Sequence, residues 1–414
     1  MNGLKFLEKL LEGAAVEYVP MGQIISRVRE KGKNNSDIKT VYSVSNIHGL
    51  VRAEDFRDNT IHSEDTSNYT VVRRGMFAYN PARLNIGSIA FLKTDLAGLV
   101  SPMYVVFTLD ENIVNYEYLN FFLKTSYCKN KIKSLTEEGA RFRFDFERWD
   151  LIEVPIPPVE VQVEIVRILN SFTELTTALT AELEIRKKQY NYCRDQLLTF
   201  NNKEVEWISL REIGKFIRGK RFTKADYVEN GVSAIHYGEI YTLYGAWTKY
   251  AVSKVRADMA DSLRYAEPND VVIAGVGETV HDVGKALAWI GSEKVAIHDD
   301  SYAFRHSMNP KYISYIMQTT KFIDEKAKHV SRGKVNRLLI SGVEKVKIPI
   351  PYPSDPKKSL AEQARIVGIL DKFDAITNSI SEGLPREIEL RQKQYEYYRD
   401  LLFSFPKSDS KVAA

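Results

Sequence analysis

Only two cysteines, Cys128 and Cys193, occur in 414 residues. That excludes a disulfide framework and a four-cysteine metal site, and it suits a reducing cytosol. Apolar runs are too short to span a bilayer, so no membrane segment is expected. The start, MNGLKFLEKLLEG, lacks the basic and apolar regions of a secretory signal. It predicts a short amphipathic helix with Leu4, Leu7, Leu10 and Leu11 on one side. Charge of one sign is also scarce: 58 basic and 54 acidic residues leave a formal +4. Such a balance permits a nucleic-acid partner without demanding one.

Catalytic signatures are missing as well. There is no GxxxxGK[ST] phosphate loop. Gly275-Val276-Gly277 lacks the third glycine of a dinucleotide fingerprint, and Asn80-Pro81-Ala82 fails at the third place of the Asn-Pro-Pro-aromatic motif of an amino-methyltransferase. The seven histidines show no metal-ligand spacing; His298-Asp299-Asp300 is suggestive only in composition. Asp324-Glu325-Lys326 has a nuclease-like D-x-K pattern without a paired strand acid. A chain of this length without a catalytic constellation suggests a binding protein. A stand-alone Mg-dependent nuclease working through Asp324 and Lys326, and a protein-only scaffold, are the competing readings.

What the chain does contain is a copy of itself. RKKQYNYCRDQLLTF (186–200) returns as RQKQYEYYRDLLFSF (391–405), identical at nine of fifteen positions. EIVRILNSF (164–172) matches RIVGILDKF (365–373), VPIP (154–157) matches IPIP (348–351), and Val16-Glu17-Tyr18 matches Val205-Glu206-Trp207. The offset drifts from 189 at the first residue of each copy to 205 at the last helix, as small insertions would make it. A period of about 200 residues is far too long for a solenoid. Cys193 aligns with Tyr398, which argues against chemistry at that thiol.

Each copy ends in a helical segment with apolar residues at three- and four-residue steps, the pattern of a coiled-coil seam. In the first copy these are Ile165, Ile168, Phe172, Leu175, Leu179, Leu183, Tyr190 and Leu197. In the second they are Ile366, Ile369, Phe373, Ile376, Ile380, Leu384, Ile388, Tyr395, Tyr398 and Leu402. The helices are expected to pack antiparallel and to offer aromatic positions to a protein partner. Four extra residues, Gly383–Arg386, predict a break with Pro385 opening a new helix, whereas 160–200 should be one straight helix. Prolines 155, 157 and 158, and 349, 351, 353 and 356, precede the helices and are expected to end sheet pairing stiffly.

The segments 16–153 and 205–347 have diverged. Short strands are predicted at Thr40–Val44, Ser88–Leu92 and Tyr104–Leu109, and at Val271–Ala274, Ala286–Ile290 and Tyr302–Arg305. Helices are predicted near 116–134 and 310–328, making each half α+β. Basic and amide residues gather between them. The first half offers Arg27, Arg29, Lys31, Lys33, Asn34, Asn35, Arg73, Arg74, Asn80, Arg83, Asn85, Arg141 and Arg143. The second offers Arg218, Lys220, Arg221, Lys224, His236, Tyr237, Arg332, Lys334, Asn336 and Arg337, with Arg143 aligned to Arg337. Such residues suit phosphate clamping and arginine-to-guanine contacts.

The combination resembles the specificity subunit of type I restriction-modification systems over essentially the whole chain. The resemblance rests on the PIP–EIVxIL–xxF hinge and helix, the KQYxYxRDxLL helix ends, VEWISLREIG (205–214), SRGKVNRL (331–338), and Asn269–Ile273 followed by Gly284-Lys285. The first copy departs from it in lacking the GLPR turn and in carrying GARFRFDF where SRGKVNRL stands in the second. It implies two target-recognition domains of mixed α/β type, separated and joined by two long antiparallel helices forming a coiled-coil spacer, in a pseudo-twofold internal repeat. It also implies an N-terminal helix (1–15) near the C-terminal one, recognition domains at 16–157 and 201–350, spacers at 158–200 and 351–405, and a flexible tail at 406–414. The implied role is non-catalytic recognition of a bipartite double-stranded DNA site. The implied partners are two methyltransferase subunits and, through them, restriction-translocase subunits. S-adenosylmethionine, ATP and Mg²⁺ would sit on those partners, with no metal on this chain, in the cytoplasm of a bacterium or archaeon.

Overall fold

The computed structural model describes residues 3–35, 37–45, 49–56, 65–136, 142–200, 204–378 and 383–406. Contacts divide the chain into two units, residues 1–177 with 390–414, and residues 178–389. Each predicted strand appears within one residue of its expected ends. No helix among the described residues is long and apolar enough to cross a membrane.

In the first unit, one antiparallel sheet has the order Ile25–Val28, Val105–Leu109, Phe77–Tyr79, Ile89–Phe91. Its β-branched and aromatic residues suit a pleated, buried surface. Phe77 stacks on Phe107 at 5.2 Å, and both are fully buried. A second sheet has the order Gly49–Arg52, Val41–Ser45, Gly98–Val100, Thr70–Val72, with the middle pair parallel.

The second unit repeats both sheets in another sequence. Gly214–Arg218, Ser301–His306, Val271–Ala274 and Ala286–Trp289 follow the first order, with Trp247–Thr248 added at the edge. Ser253–Val255, Tyr227–Ile235, Val295–Ile297 and Tyr265–Ala266 follow the second, again with a parallel middle pair. The duplication therefore extends through the diverged halves as topology.

Three expectations are corrected. The hinge prolines do not end pairing: Glu17–Pro20 pairs antiparallel with Glu153–Ile156, and Val205–Ser209 with Lys347–Pro351. Each ribbon has only two strands, so a proline can turn its donor-free nitrogen away from the partner. This pairing explains why the opening tripeptide of each copy recurs together with its hinge. Next, the helices expected at 116–134 and 310–328 are each split, into Tyr116–Phe122 and Ser126–Ser134, and into Pro310–Ile316 and Thr320–Ala327. Thr125 and Thr319 cap the second helix of each pair with their side chains. Finally, the seam is not uniform. The long helix Val159–Leu197 runs unbroken, but its first turns bury Gln162, Ile165, Val166 and Leu169, a globular face wider than a seam. Leu175 and the matching Ile376 are exposed.

In the first unit, Phe172 stacks on Tyr398 at 5.4 Å. Leu7 shares one core with Ile165, Leu169, Leu402 and Phe405, and the Tyr18 hydroxyl donates to the Phe405 carbonyl at 2.6 Å. In the second unit, Tyr190 and Leu198 share a core with Ile366, Val367 and Leu370, with Phe373 packed against it. The helix Pro356–Thr377 ends before the insertion, and Gly383–Leu402 begins after it, with Gly383 at φ +76° and Pro385 in the first turn. Ile380 lies outside the described residues, as does the expected tail beyond Pro406. Ile168, Leu179, Ile369 and Tyr395 are half-buried.

Candidate nucleic-acid interface

In the first unit the strand Ile25–Val28 runs on into Arg29 and Lys31. With Arg27, Asn80, Phe142 and Arg143 these residues line an open cleft of about 640 Å³. Lys31 donates to the Thr70 hydroxyl at 3.1 Å, which holds its ammonium at the rim. Arg143 pairs with Asp145 at 2.9 Å while staying three-quarters exposed. The result is a cleft with four cations, one of them paired with a carboxylate, beside an aromatic ring. That suits a nucleic-acid backbone.

Other first-unit candidates fall elsewhere. Arg73 forks onto Glu30 at 2.5 and 2.8 Å, and the bond holds the Glu30 carboxyl below its usual range despite partial burial. Arg74 pairs with Asp95 at 2.8 Å. Both guanidiniums are thus already held by acids of their own unit. Lys33 and Asn34 lie on an exposed turn, Gly32–Asn34, and Arg83 and Asn85 on another at Leu84–Ile86. Arg141 lies outside the described residues.

In the second unit four predicted positions converge on the turn Ile297–Asp300. Arg218 Nε donates to the Asp299 carbonyl at 2.9 Å, and the Lys220 amide donates to the Ile297 carbonyl at 3.0 Å. Arg337 bonds the Asp300 carboxylate at 3.0 Å, and the His236 ring lies 4.7 Å from that of His298. Gly219 permits this approach: a Cβ there would stand 2.1 Å from the His298 carbonyl oxygen. Burial, then the neighbouring His298, holds His236 below the usual imidazole range, so the ring is neutral near pH 7. Its Nδ1 accepts from the Gly238 amide at 3.1 Å, leaving Nε2 to carry the proton as a donor. The Tyr237 ring lies tilted against it, centroids 4.4 Å apart.

His298, Asp299 and Asp300 bring their ligand atoms within 4.8 Å of one another. Both carboxylates already face arginines, Asp299 toward Arg218 at 4.0 Å and Asp300 toward Arg337 at 3.0 Å. The cluster is an anchor for those cations. Composition alone had not marked it as part of the interface. Arg221, Lys224, Arg332 and Lys334 are exposed on flanking turns, and Asn336 donates to the Glu278 carbonyl at 2.7 Å.

The two sites share a plan. Arg29, Lys31 and Arg143 correspond, at the repeat offsets of 189 and 194, to Arg218, Lys220 and Arg337. The residues around the two trios differ. Cations can position each unit on phosphates, while the unlike side chains between them can face base edges.

The pair Asp324 and Lys326 cannot work as a nuclease centre. The two lie about 160° apart around the helix Thr320–Ala327. Asp324 is exposed, whereas Lys326 is 2% exposed and donates to the carbonyls of His281 and Val283.

Residues 32–186 and 202–390 match the family described as the type I restriction modification DNA specificity domain. The specificity subunit of the Escherichia coli EcoR124I/EcoR124II type I restriction enzymes is 34% identical over 435 aligned residues, covering 99% of each chain. A putative type I restriction enzyme specificity subunit of Haemophilus influenzae is 30% identical, covering 98% of this chain and 99% of its own. A solved chain from work on complex assembly and conformational transition of the type I R-M system superimposes at a TM-score of 0.59 and 16% identity, over 95% of this chain and 98% of that one. That last likeness speaks to fold alone. Matched twice by one family and aligned end to end with these relatives, the chain belongs to the type I restriction-modification specificity subunits.

Proposed function

We propose that this chain is the DNA-recognition subunit of a type I restriction-modification assembly, each unit reading one half of a bipartite duplex target. The observation that carries the reading is the repeated trio of cations, Arg29, Lys31 and Arg143 in one unit and Arg218, Lys220 and Arg337 in the other, amid unlike neighbours. Equal cations give both units the same grip on phosphate, and unequal neighbours give each its own sequence. His236 and Tyr237 add a neutral donor and an aromatic face in the second unit. Exposed Lys33, Asn34, Arg83, Asn85, Arg221, Lys224, Arg332 and Lys334 supply outer backbone contacts.

Adenine methylation and DNA cleavage then belong to partners: two methyltransferase subunits holding S-adenosylmethionine, and restriction subunits using ATP and Mg²⁺. This chain contributes recognition and spacing in the cytoplasm of its host. The test is duplex binding by the chain with its methyltransferase across a salt series, together with methylation mapping. The reading expects affinity to fall steeply with salt and methylated sites to fall into two half-sites with a fixed gap. Salt-independent binding, or methylation at a single contiguous site, would contradict it.

A further inference from the structure

The duplicated sheets put one turn at the same point of both units. In the first it joins the strands Gly98–Val100 and Val105–Leu109, in the second Val295–Ile297 and Ser301–His306. The parallel ladder before the turn ends on Val100 or Ile297, and the antiparallel ladder after it pairs Phe107 with Phe77 or Phe304 with Val271. The offset is 197 on both sides, so the turns align without a gap. Each is closed by the same bond, from the Tyr104 amide to the Ser101 carbonyl at 3.0 Å and from the Ser301 amide to the His298 carbonyl at 2.9 Å. Pro102 and Met103 therefore stand where the other unit has Asp299 and Asp300. The equivalence of Arg143 and Arg337 is also built into the backbone: the next residue in each case donates to a matched carbonyl, Phe144 to Pro81 at 3.0 Å and Leu338 to Gly275 at 2.9 Å.

Like cations thus surround unlike turns. Asp300 bonds Arg337 and Asp299 faces Arg218. Met103 instead lines the cleft of Arg29, Lys31 and Arg143. It is 58% exposed but not loose: the buried Asn80 donates from Nδ2 to its sulfur at 3.8 Å, and Asn80 Oδ1 is itself held by the Ala82 amide at 3.0 Å. A lone apolar side chain on an open surface needs no explanation. One whose sulfur is tied to a buried amide, inside a cleft lined by cations, is placed for contact. Cations that hold phosphates leave the group between them facing base edges. An uncharged thioether chain gains little from a polar edge, and the apolar group that a base pair shows in the major groove is the thymine 5-methyl.

We propose that Met103 is a specificity-determining residue of the first unit and reads the 5-methyl group of one thymine in its half-site. The proposal rests on the reading above and names one of the unlike neighbours on which that reading depends. In the second unit the matching Asp300 is engaged by Arg337, so that turn reads no methyl group.

The test is binding of the full chain, in complex with its methyltransferase, to duplexes that carry the mapped target with each thymine replaced in turn by uracil. That replacement removes the methyl group and nothing else. For wild type, one replacement in one half-site is expected to weaken binding about fourfold, the worth of one buried methyl group. Met103→Ala should abolish that cost, and Met103→Leu, still apolar, should keep it. Costs in the other half-site should be the same in all three proteins. Wild-type binding that ignores every replacement overturns the inference, and so does a cost that survives Met103→Ala. Equal loss in Met103→Leu and Met103→Ala overturns it too, because an apolar side chain is then not what reads the base. In each of these cases binding to a bipartite duplex leaves the recognition reading standing. A wild-type complex that binds no bipartite duplex sinks both the inference and the reading beneath it.

Discussion

Asp195 holds Thr320 by two bonds: its carboxylate accepts from the Thr320 hydroxyl at 2.6 Å and from the Thr320 amide at 3.2 Å. Thr320 is the first residue of the helix Thr320–Ala327, so the carboxylate also meets the positive end of that helix. In the other unit Asp400 repeats the arrangement on Ser126, at 2.6 and 3.1 Å. Gln162 and Gln363 each accept from an asparagine amide at 2.9 Å, from Asn115 and Asn309. Tyr118 and Tyr312 each donate to a hinge proline carbonyl, at 2.7 and 2.9 Å. Much of what the duplicated segments preserve is this wiring of a recognition domain to its own stretch of helix.

Asp195→Ala is expected to loosen the second unit and Asp400→Ala the first, each by about 1–2 kcal/mol, the cost of the lost charge-assisted bonds. Hydrogen exchange would read it as faster exchange at Thr320–Ala327 for the first variant and at Ser126–Ser134 for the second. Burial alone would raise the Asp400 pKa, but the bonds from Ser126 and Arg399 outweigh it and hold the carboxyl below its usual range. Because the folded value is depressed, this clamp is fully formed above pH 4 or so and is lost as pH falls below that. Acid titration of exchange at Ser126–Ser134 checks the direction.

Arg29→Ala should lower the salt dependence of duplex binding by about one counterion and weaken binding to all sequences alike; Arg218→Ala should act in the same direction but by less, since Asp299 faces that guanidinium. Arg73→Ala should change the slope less, since Glu30 already neutralises that guanidinium. Equal slopes for Arg29→Ala and Arg73→Ala would remove the cleft from the account.

Lys326 supplies a second pH prediction, of the same sign but in the alkaline range. Burial lowers its pKa from 10.5 to about 8. Between those values the unfolded chain binds more protons than the folded one, so stability rises with pH there, by up to about 1.4 kcal/mol per unit. Denaturant midpoints at pH 8 and 9.5 should show the rise in wild type and its absence in Lys326→Met. A flat wild-type profile would contradict the burial argument.

Spacer length sets the last prediction. Seven residues inserted after Leu179, keeping the apolar phase, lengthen the helix by about 10 Å, near three base pairs of duplex. Methylation mapping is expected to show a changed gap between unchanged half-sites. Altered half-sites with an unchanged gap would reject the helix as a ruler.

The elements that were legible in the sequence are those whose pattern is local. Val271–Ala274 announces itself by four consecutive apolar residues bounded by Asn269-Asp270 and Gly275, and the long helix by its periodicity. The splits at Thr125 and Thr319 were hidden because the apolar pattern continues across them. The repeated Thr-Ser and Thr-Thr pairs were the available signal. The hinge ribbons were missed because a proline weighs against a strand locally, while the two-strand pairing that tolerates it is non-local. In the site, the spacing Arg29-x-Lys31 and Arg218-x-Lys220 could have been matched by offset. The acid anchor at Asp299 and Asp300 could not, since only the fold brings it to Arg218 and Arg337.

The central claim is that each unit reads its own half of the target. The most direct measurement replaces residues 205–347 with the corresponding segment of a relative of different specificity and maps methylated sites in the host genome. The account predicts one half-site exchanged, with the other half-site and the gap unchanged. Exchange of both half-sites, or of neither, would contradict it.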